Sequence, residues 1–148
     1  MPSETSATWA NIGRVATLES TGAGPFRCLT VTGEMLDDIL GNAKLPLYVD
    51  YDFDWLRAEK PGAKPAAGMI HEVARFGDRL WAHVELSPNA AELITARRYT
   101  HCVMAIEIGA MDRVTGEPIG TRLMQAALTN DPLDTQLYPI QFGQEPVS

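Results

Sequence analysis

Few residues in this 148-residue chain are of types that could do chemistry. The three histidines, His71, His83 and His101, have no histidine or cysteine at the spacing of an HxxxH or HExxH metal motif. His101 and Cys102 are adjacent, and adjacent residues in a strand point to opposite faces, so they form a poor catalytic pair. The sequence has no GxSxG turn and no phosphate-binding glycine loop. Residue spacing alone therefore predicts no active site.

Three acidic residues, Asp50, Asp52 and Asp54, alternate along one segment and would project from the same face of a strand. A calcium loop needs more oxygen ligands and a glycine, so this cluster is a weak candidate for a cation site. The two cysteines, Cys28 and Cys102, are too few for a disulfide framework or a structural zinc site. We therefore predict neither a metal nor another cofactor.

The overall composition excludes two classes of partner. The chain has 12 basic and 19 acidic residues, a net charge of -7, and this argues against nucleic acid as a partner because phosphate binding needs clustered cations. It contains no apolar run of about 18 residues, so no membrane-spanning helix is predicted. Its length suits one domain with a real hydrophobic core.

The elements that would position these residues are mostly strands. Two short helices are predicted, one capped by Thr32 and ending at Gly41, the other capped by Ser87 and ending near Arg98. The pattern favours an α+β fold in which a small barrel-like sheet of six or seven strands is flanked by these helices. The predicted strands are Ile12–Leu18, Pro25–Val31, Leu45–Phe53, Ala67–Phe76, Leu80–Leu86, His101–Ala110 and Thr121–Leu128.

The two ends of the chain lack clear hydrophobic periodicity. We expect residues 1–11 to form a flexible arm anchored by Trp9, and residues 134–148 to form an extended tail that wraps the surface or reaches a partner. Residues 12–133 would then form the folded domain.

Five segments occur in the order found in one known family. They are LPLYVDYDFDW, PAAGMIHEV, LWAHVELSPNAAELI, RRYTHCVMAIEI and ALTNDPL, which together span about residues 45–133. The chain resembles the Mu-like prophage I protein family, the head maturation proteases of Mu-type phages. The resemblance implies a small β-barrel related to the herpesvirus-type assembly proteases, with a serine nucleophile activated by histidine.

The resemblance breaks at the residues that would do this chemistry. Phe53 stands where the family has its histidine, and Val103 stands where it has its serine. A shift of one residue would make Cys102 the nucleophile, with His71, His83 or His101 as the base. Phenylalanine cannot accept a proton and valine cannot attack a carbonyl, so we predict that the peptidase is inactive.

Three functions follow from the resemblance. The first is a virion structural protein, a decoration or minor capsid protein, or a head-assembly factor, found in the phage head or in the host cytoplasm during assembly. Its partner would be a capsid or scaffold protein, it would form homo-oligomers on the capsid, and the short chain would carry no scaffold extension. The alternatives are an active maturation peptidase and a chaperone that binds scaffold peptides in the old substrate groove. Candidate contact residues are Trp9, Trp55, Tyr138 and Phe142.

Overall fold

A computed structural model describes residues 6–19, 28–53 and 66–148 of the chain. Within these ranges there are eight strands and two helices. The elements are β1 Ser6–Arg14, β2 Ala16–Glu19, β3 Cys28–Val31, α1 Gly33–Asn42, β4 Leu47–Tyr51, β5 Gly68–Phe76, β6 Arg79–Leu86, α2 Pro88–Thr95, β7 His101–Met111 and β8 Pro118–Thr129.

Six strands form one curled sheet in the order β1-β6-β5-β4-β8-β7, and β2 pairs with β3 in a separate hairpin. β4 runs parallel to β8, while the other pairs are antiparallel. The edge strands approach each other where a Cβ on Gly13 would lie 2.5 Å from Met104 Cε. The sheet is thus a half-barrel, which confirms the predicted α+β, barrel-like fold.

Helix α1 covers the part of β8 that extends beyond its pairing with β4. Leu36 and Ile39 of α1 are fully buried in the core, and each contributes about 1.5–3 kcal/mol of burial free energy. The side-chain amide of Asn42 donates to the carbonyl oxygens of Ile119 and Thr121 at 2.7 and 2.9 Å. The helix therefore closes a strand edge that would otherwise be open.

Both predicted helix caps are confirmed. The hydroxyl of Thr32 accepts a hydrogen bond from the Met35 amide at 3.2 Å, and that of Ser87 accepts one from the Ala90 amide at 3.1 Å. Helix α2 ends at Thr95, earlier than predicted, because Arg97 adopts a left-handed backbone conformation with φ of 60°.

The predicted N-terminal arm requires a correction. Residues 6–11 form the first part of β1, which pairs with β6 from the Ser6–Leu86 pair onward. Ala10 and Ile12 are fully buried in the core. Small and polar residues surround these two positions, so the sequence does not show the alternation of apolar and polar residues that is typical of a strand. Pairing with β6 makes this segment a strand.

The C-terminal segment lies against the domain. The Trp81 indole donates to the carbonyl oxygen of Val147 at 3.0 Å, and the Ile140 amide donates to that of Thr100 at 2.8 Å. These contacts hold the segment across β6 and the start of β7.

Candidate functional site

An apolar cavity of about 270 Å³ opens at the edge of the half-barrel, and we call it the edge cavity. Its wall is formed by the end of β1, the β2–β3 hairpin and β7. Phe53, which follows β4, and residues at and after the end of β8 complete it. The lining residues are Ile12, Gly13, Arg14, Leu18, Leu29, Val31, Phe53, Val103, Met104, Ile106, Thr129, Asp131, Pro132, Leu133, Asp134 and Leu137.

The edge cavity brings together the two positions at which the family's catalytic residues were expected. Phe53 and Val103 both line it, although 50 positions of sequence separate them. The sheet register explains this, because Ala127 of β8 pairs with Asp50 on one side and with Val103 on the other. Strands two places apart lie about 10 Å from each other, and Phe53 follows Asp50 by one turn.

The turn that contains Phe53 has an uncommon backbone conformation. Asp52 and Phe53 have φ values of 55° and 58°, in the left-handed region that non-glycine residues rarely adopt. Such a residue costs about 1–3 kcal/mol and persists only where its surroundings hold it. Here Phe53 N–H donates to Asp50 Oδ1 at 3.1 Å, and the Tyr99 hydroxyl donates to Asp52 Oδ2 at 2.7 Å. Residues from two of the family's motifs therefore fix this turn together.

Cys102, the alternative nucleophile, lies outside the edge cavity. Its side chain is fully buried in the core, whereas Val103 lines the cavity. Burial, with a smaller contribution from the nearby Asp50 carboxylate, raises the pKa of the Cys102 thiol to about 12. The thiolate is the nucleophilic form, so this thiol is protonated and unreactive near pH 7.

The three histidines lie at separate places outside the described wall of the edge cavity. His101 Nδ1 lies 2.8 Å from the hydroxyl oxygen of Thr100. The His83 ring packs edge-on against Trp9, with ring centroids 5.1 Å apart. His71 Nε2 lies 3.7 Å from a Glu85 carboxylate oxygen. Each histidine thus has a local contact of its own.

An ion pair closes one side of the edge cavity. Arg14 Nε lies 2.8 Å from an oxygen of Asp134, whose side chain is only 6% exposed. The other Asp134 oxygen accepts hydrogen bonds from Arg14 Nε at 3.0 Å and from the Gln136 amide at 2.9 Å. The pair joins the end of β1 to the segment after β8. This pairing could not be predicted from the sequence, because the two residues lie 120 positions apart and neither belongs to a motif.

The predicted contact residues fall into different environments. Trp9 is half-buried in β1, and Trp55 lies outside the described residues. Tyr138 packs against Trp81 and beneath the Arg79 guanidinium, whose carbon lies 3.8 Å from the ring centre. Phe142 remains 39% exposed.

The acidic cluster is only partly described, since Asp54 lies outside the described ranges. Within those ranges, no group of three or more histidine, cysteine, aspartate or glutamate side chains is arranged to hold a metal ion. Among the same residues, no helix is long and apolar enough to cross a membrane.

The fold and the edge cavity define an α+β protein built on a half-barrel, with a largely apolar cavity at the open edge of its sheet. Residues 11–141 match the family described as Mu-like prophage I protein, N-terminal domain, and the chain belongs to this family. It is therefore a phage-related protein. Neither the curated proteins nor the solved structures gave a match to this chain.

Proposed function

We propose that the protein is a catalytically inactive relative of a phage head maturation protease and acts in the phage head as a capsid-associated protein or assembly factor. The observation that supports this is the lining of the edge cavity by Phe53 and Val103. These are the two positions at which the family resemblance predicts the histidine and the serine, and their side chains offer neither a base nor a nucleophile.

A rewired cysteine peptidase is the less favoured alternative. It would need Cys102 as a thiolate in contact with a histidine and open to a substrate. The thiol is instead buried and protonated, and the cavity wall next to it belongs to Val103.

The assembly-chaperone function has a specific observation in its favour. The edge cavity is lined mainly by aliphatic side chains, and β7 forms an edge of the described six-stranded sheet. An extended peptide could pair with such an edge and place an apolar side chain in the cavity. An inactive protease would then hold a scaffold peptide without cutting it.

A cleavage assay tests the proposed loss of activity. The purified protein is incubated with the scaffold and capsid proteins of the same phage, and we expect both to remain intact. Cleavage that disappears in the Cys102→Ala variant would overturn the proposal in favour of a cysteine peptidase. Cleavage that survives this substitution would show that other residues are catalytic.

Quantification of the protein in purified particles separates the two remaining functions. A capsid-associated protein should be present at high copy number in mature virions. An assembly chaperone should be present in proheads and missing from virions.

A further inference from the structure

A second groove, which we call the tail groove, lies between the end of α2 and the C-terminal segment. Its volume is about 490 Å³ and it shares no lining residue with the edge cavity. One wall runs from Ile94 to Thr100 and the other from Tyr138 to Gln144. Two predicted contact residues, Tyr138 and Phe142, thus lie in one groove.

The tail groove is already formed in the free protein. The Ile140 amide donates to the Thr100 carbonyl oxygen at 2.8 Å, which joins its two walls directly. The Gln144 amide donates to the Gln141 carbonyl oxygen at 3.0 Å, which closes the chain into a turn beside the groove. A ligand would therefore meet a fixed surface and lose little free energy in ordering it.

A cation borders this groove in a chain of net charge -7. Arg97 lines the groove and is exposed, and the ion pairs found within residues 6–19, 28–53 and 66–148 do not include it. Arg97 follows the end of α2 by two residues and has a left-handed backbone with φ of 60°. An arginine at such a place favours a ligand that carries a carboxylate.

The groove also holds a hydrogen-bond acceptor that lacks a donor. Gln144 Oε1 is buried and has no hydrogen-bond partner within the described part of the chain. A buried acceptor without a donor is unfavourable. Gln144 lines the groove, so an N–H of a ligand that reaches Oε1 would satisfy this acceptor. Beside it, the 39% exposed Phe142 ring offers an apolar surface.

We propose that the tail groove binds an extended acidic segment of a partner protein. A glutamate or aspartate of that segment pairs with Arg97, a neighbouring apolar side chain packs on Phe142, and a backbone N–H of the segment donates to Gln144 Oε1. This site is independent of the edge cavity and of any residual peptidase activity.

The test uses the full chain and two capped peptides, acetyl-Ser-Glu-Leu-Glu-Gly-amide and its counterpart with glutamine at both glutamate positions. Binding is followed by the backbone amide signals of the protein in NMR titrations. We expect the acidic peptide to shift the signals of residues 94–100 and 138–144, and the amide counterpart to bind at least fivefold more weakly.

Three variants separate this site from general charge attraction. Arg97→Gln should weaken binding at least fivefold, whereas Arg113→Gln, which removes an exposed arginine of the β7–β8 loop, should leave it unchanged. Gln144→Leu should also weaken binding without lowering the melting temperature, because it removes an unsatisfied acceptor.

The proposal is overturned if the two peptides bind equally, if both arginine variants lose affinity equally, or if the shifted signals lie outside the tail groove. Tighter binding of inorganic phosphate or of a single-stranded oligonucleotide than of the acidic peptide would overturn it too, since the groove would then recognise phosphate.

Discussion

Asn11 connects three parts of the fold, and its replacement by alanine should be costly. Its side chain is 1% exposed, and its amide group donates to the carbonyl oxygens of Gly13 and Leu80 at 2.9 and 3.0 Å. Its carbonyl oxygen accepts from Arg79 Nη1 at 2.7 Å and from the Tyr138 amide at 3.1 Å. One residue thus ties β1, β6 and the C-terminal segment together.

The expected loss follows from these four hydrogen bonds. A typical hydrogen bond contributes about 1 kcal/mol net, so their sum is about 4 kcal/mol. Arg79 and Tyr138 are half-buried, so water can accept part of the hydrogen bonding that these two donors lose when Asn11 is replaced. We therefore expect Asn11→Ala to lower the free energy of unfolding by about 3 kcal/mol. For a domain of this size, that corresponds to a melting temperature lower by about 10 °C.

Urea unfolding followed by tryptophan fluorescence measures this loss. The matched control is Asn89→Ala, which removes an exposed side chain with one described hydrogen bond, to the Tyr51 hydroxyl, and should change stability by less than about 0.5 kcal/mol. A loss below about 1 kcal/mol in Asn11→Ala would refute the reasoning. It would mean that water or neighbouring groups satisfy the freed carbonyl oxygens.

Three further predictions concern the core and the edge cavity. Because the native Cys102 thiol keeps its proton up to about pH 12 while an unfolded thiol ionises near its ordinary pKa of 9.0, its contribution to stability should be complete below pH 9. The contribution should fall by up to about 1.4 kcal/mol per pH unit above it. Denaturation of the wild type and Cys102→Ala between pH 7 and 11 measures this difference, and a constant difference would contradict the assigned pKa. Arg14→Met should cost about 1–2 kcal/mol because it leaves the buried Asp134 carboxylate without its cation, and an unchanged urea midpoint would show that the pair is dispensable. Gly41→Ala should stabilise α1 by about 0.5 kcal/mol, since a Cβ there meets open space. Gly13→Ala should instead destabilise the fold by up to about 1 kcal/mol, because the flexible end of the Met104 side chain must move away from the new Cβ. Equal melting temperatures for these two variants would contradict the described contact.

The helices and hairpins were predictable because local chemistry determines them. Thr32 and Ser87 cap α1 and α2 with the bonds expected of hydroxyl side chains. The Gly77-Asp78 turn between β5 and β6 likewise followed from its residue types. These signals act over three or four residues, so a single sequence reveals them.

The features that the sequence did not reveal depend on distant pairing. β1 was expected to begin in a flexible arm, and only its pairing with β6 makes it a strand. The parallel pairing of β4 with β8 joins residues 77 positions apart and has no local signature. The family resemblance predicted that Phe53 and Val103 occupy the positions of the catalytic residues. It did not predict that Leu18, Leu29 and Leu137 line the same cavity, because these residues come together only when the chain folds.

The edge cavity has a consequence for the timing of folding during synthesis. Its wall includes residues from Ile12 to Leu137, and β8 lies between β4, which precedes Phe53, and β7, which carries Val103. A nascent chain cannot complete the cavity until β8 and the segment after it have left the ribosome. Any partner that recognises the cavity will therefore select chains in which residues up to Leu137 have been synthesised and folded over shorter nascent chains.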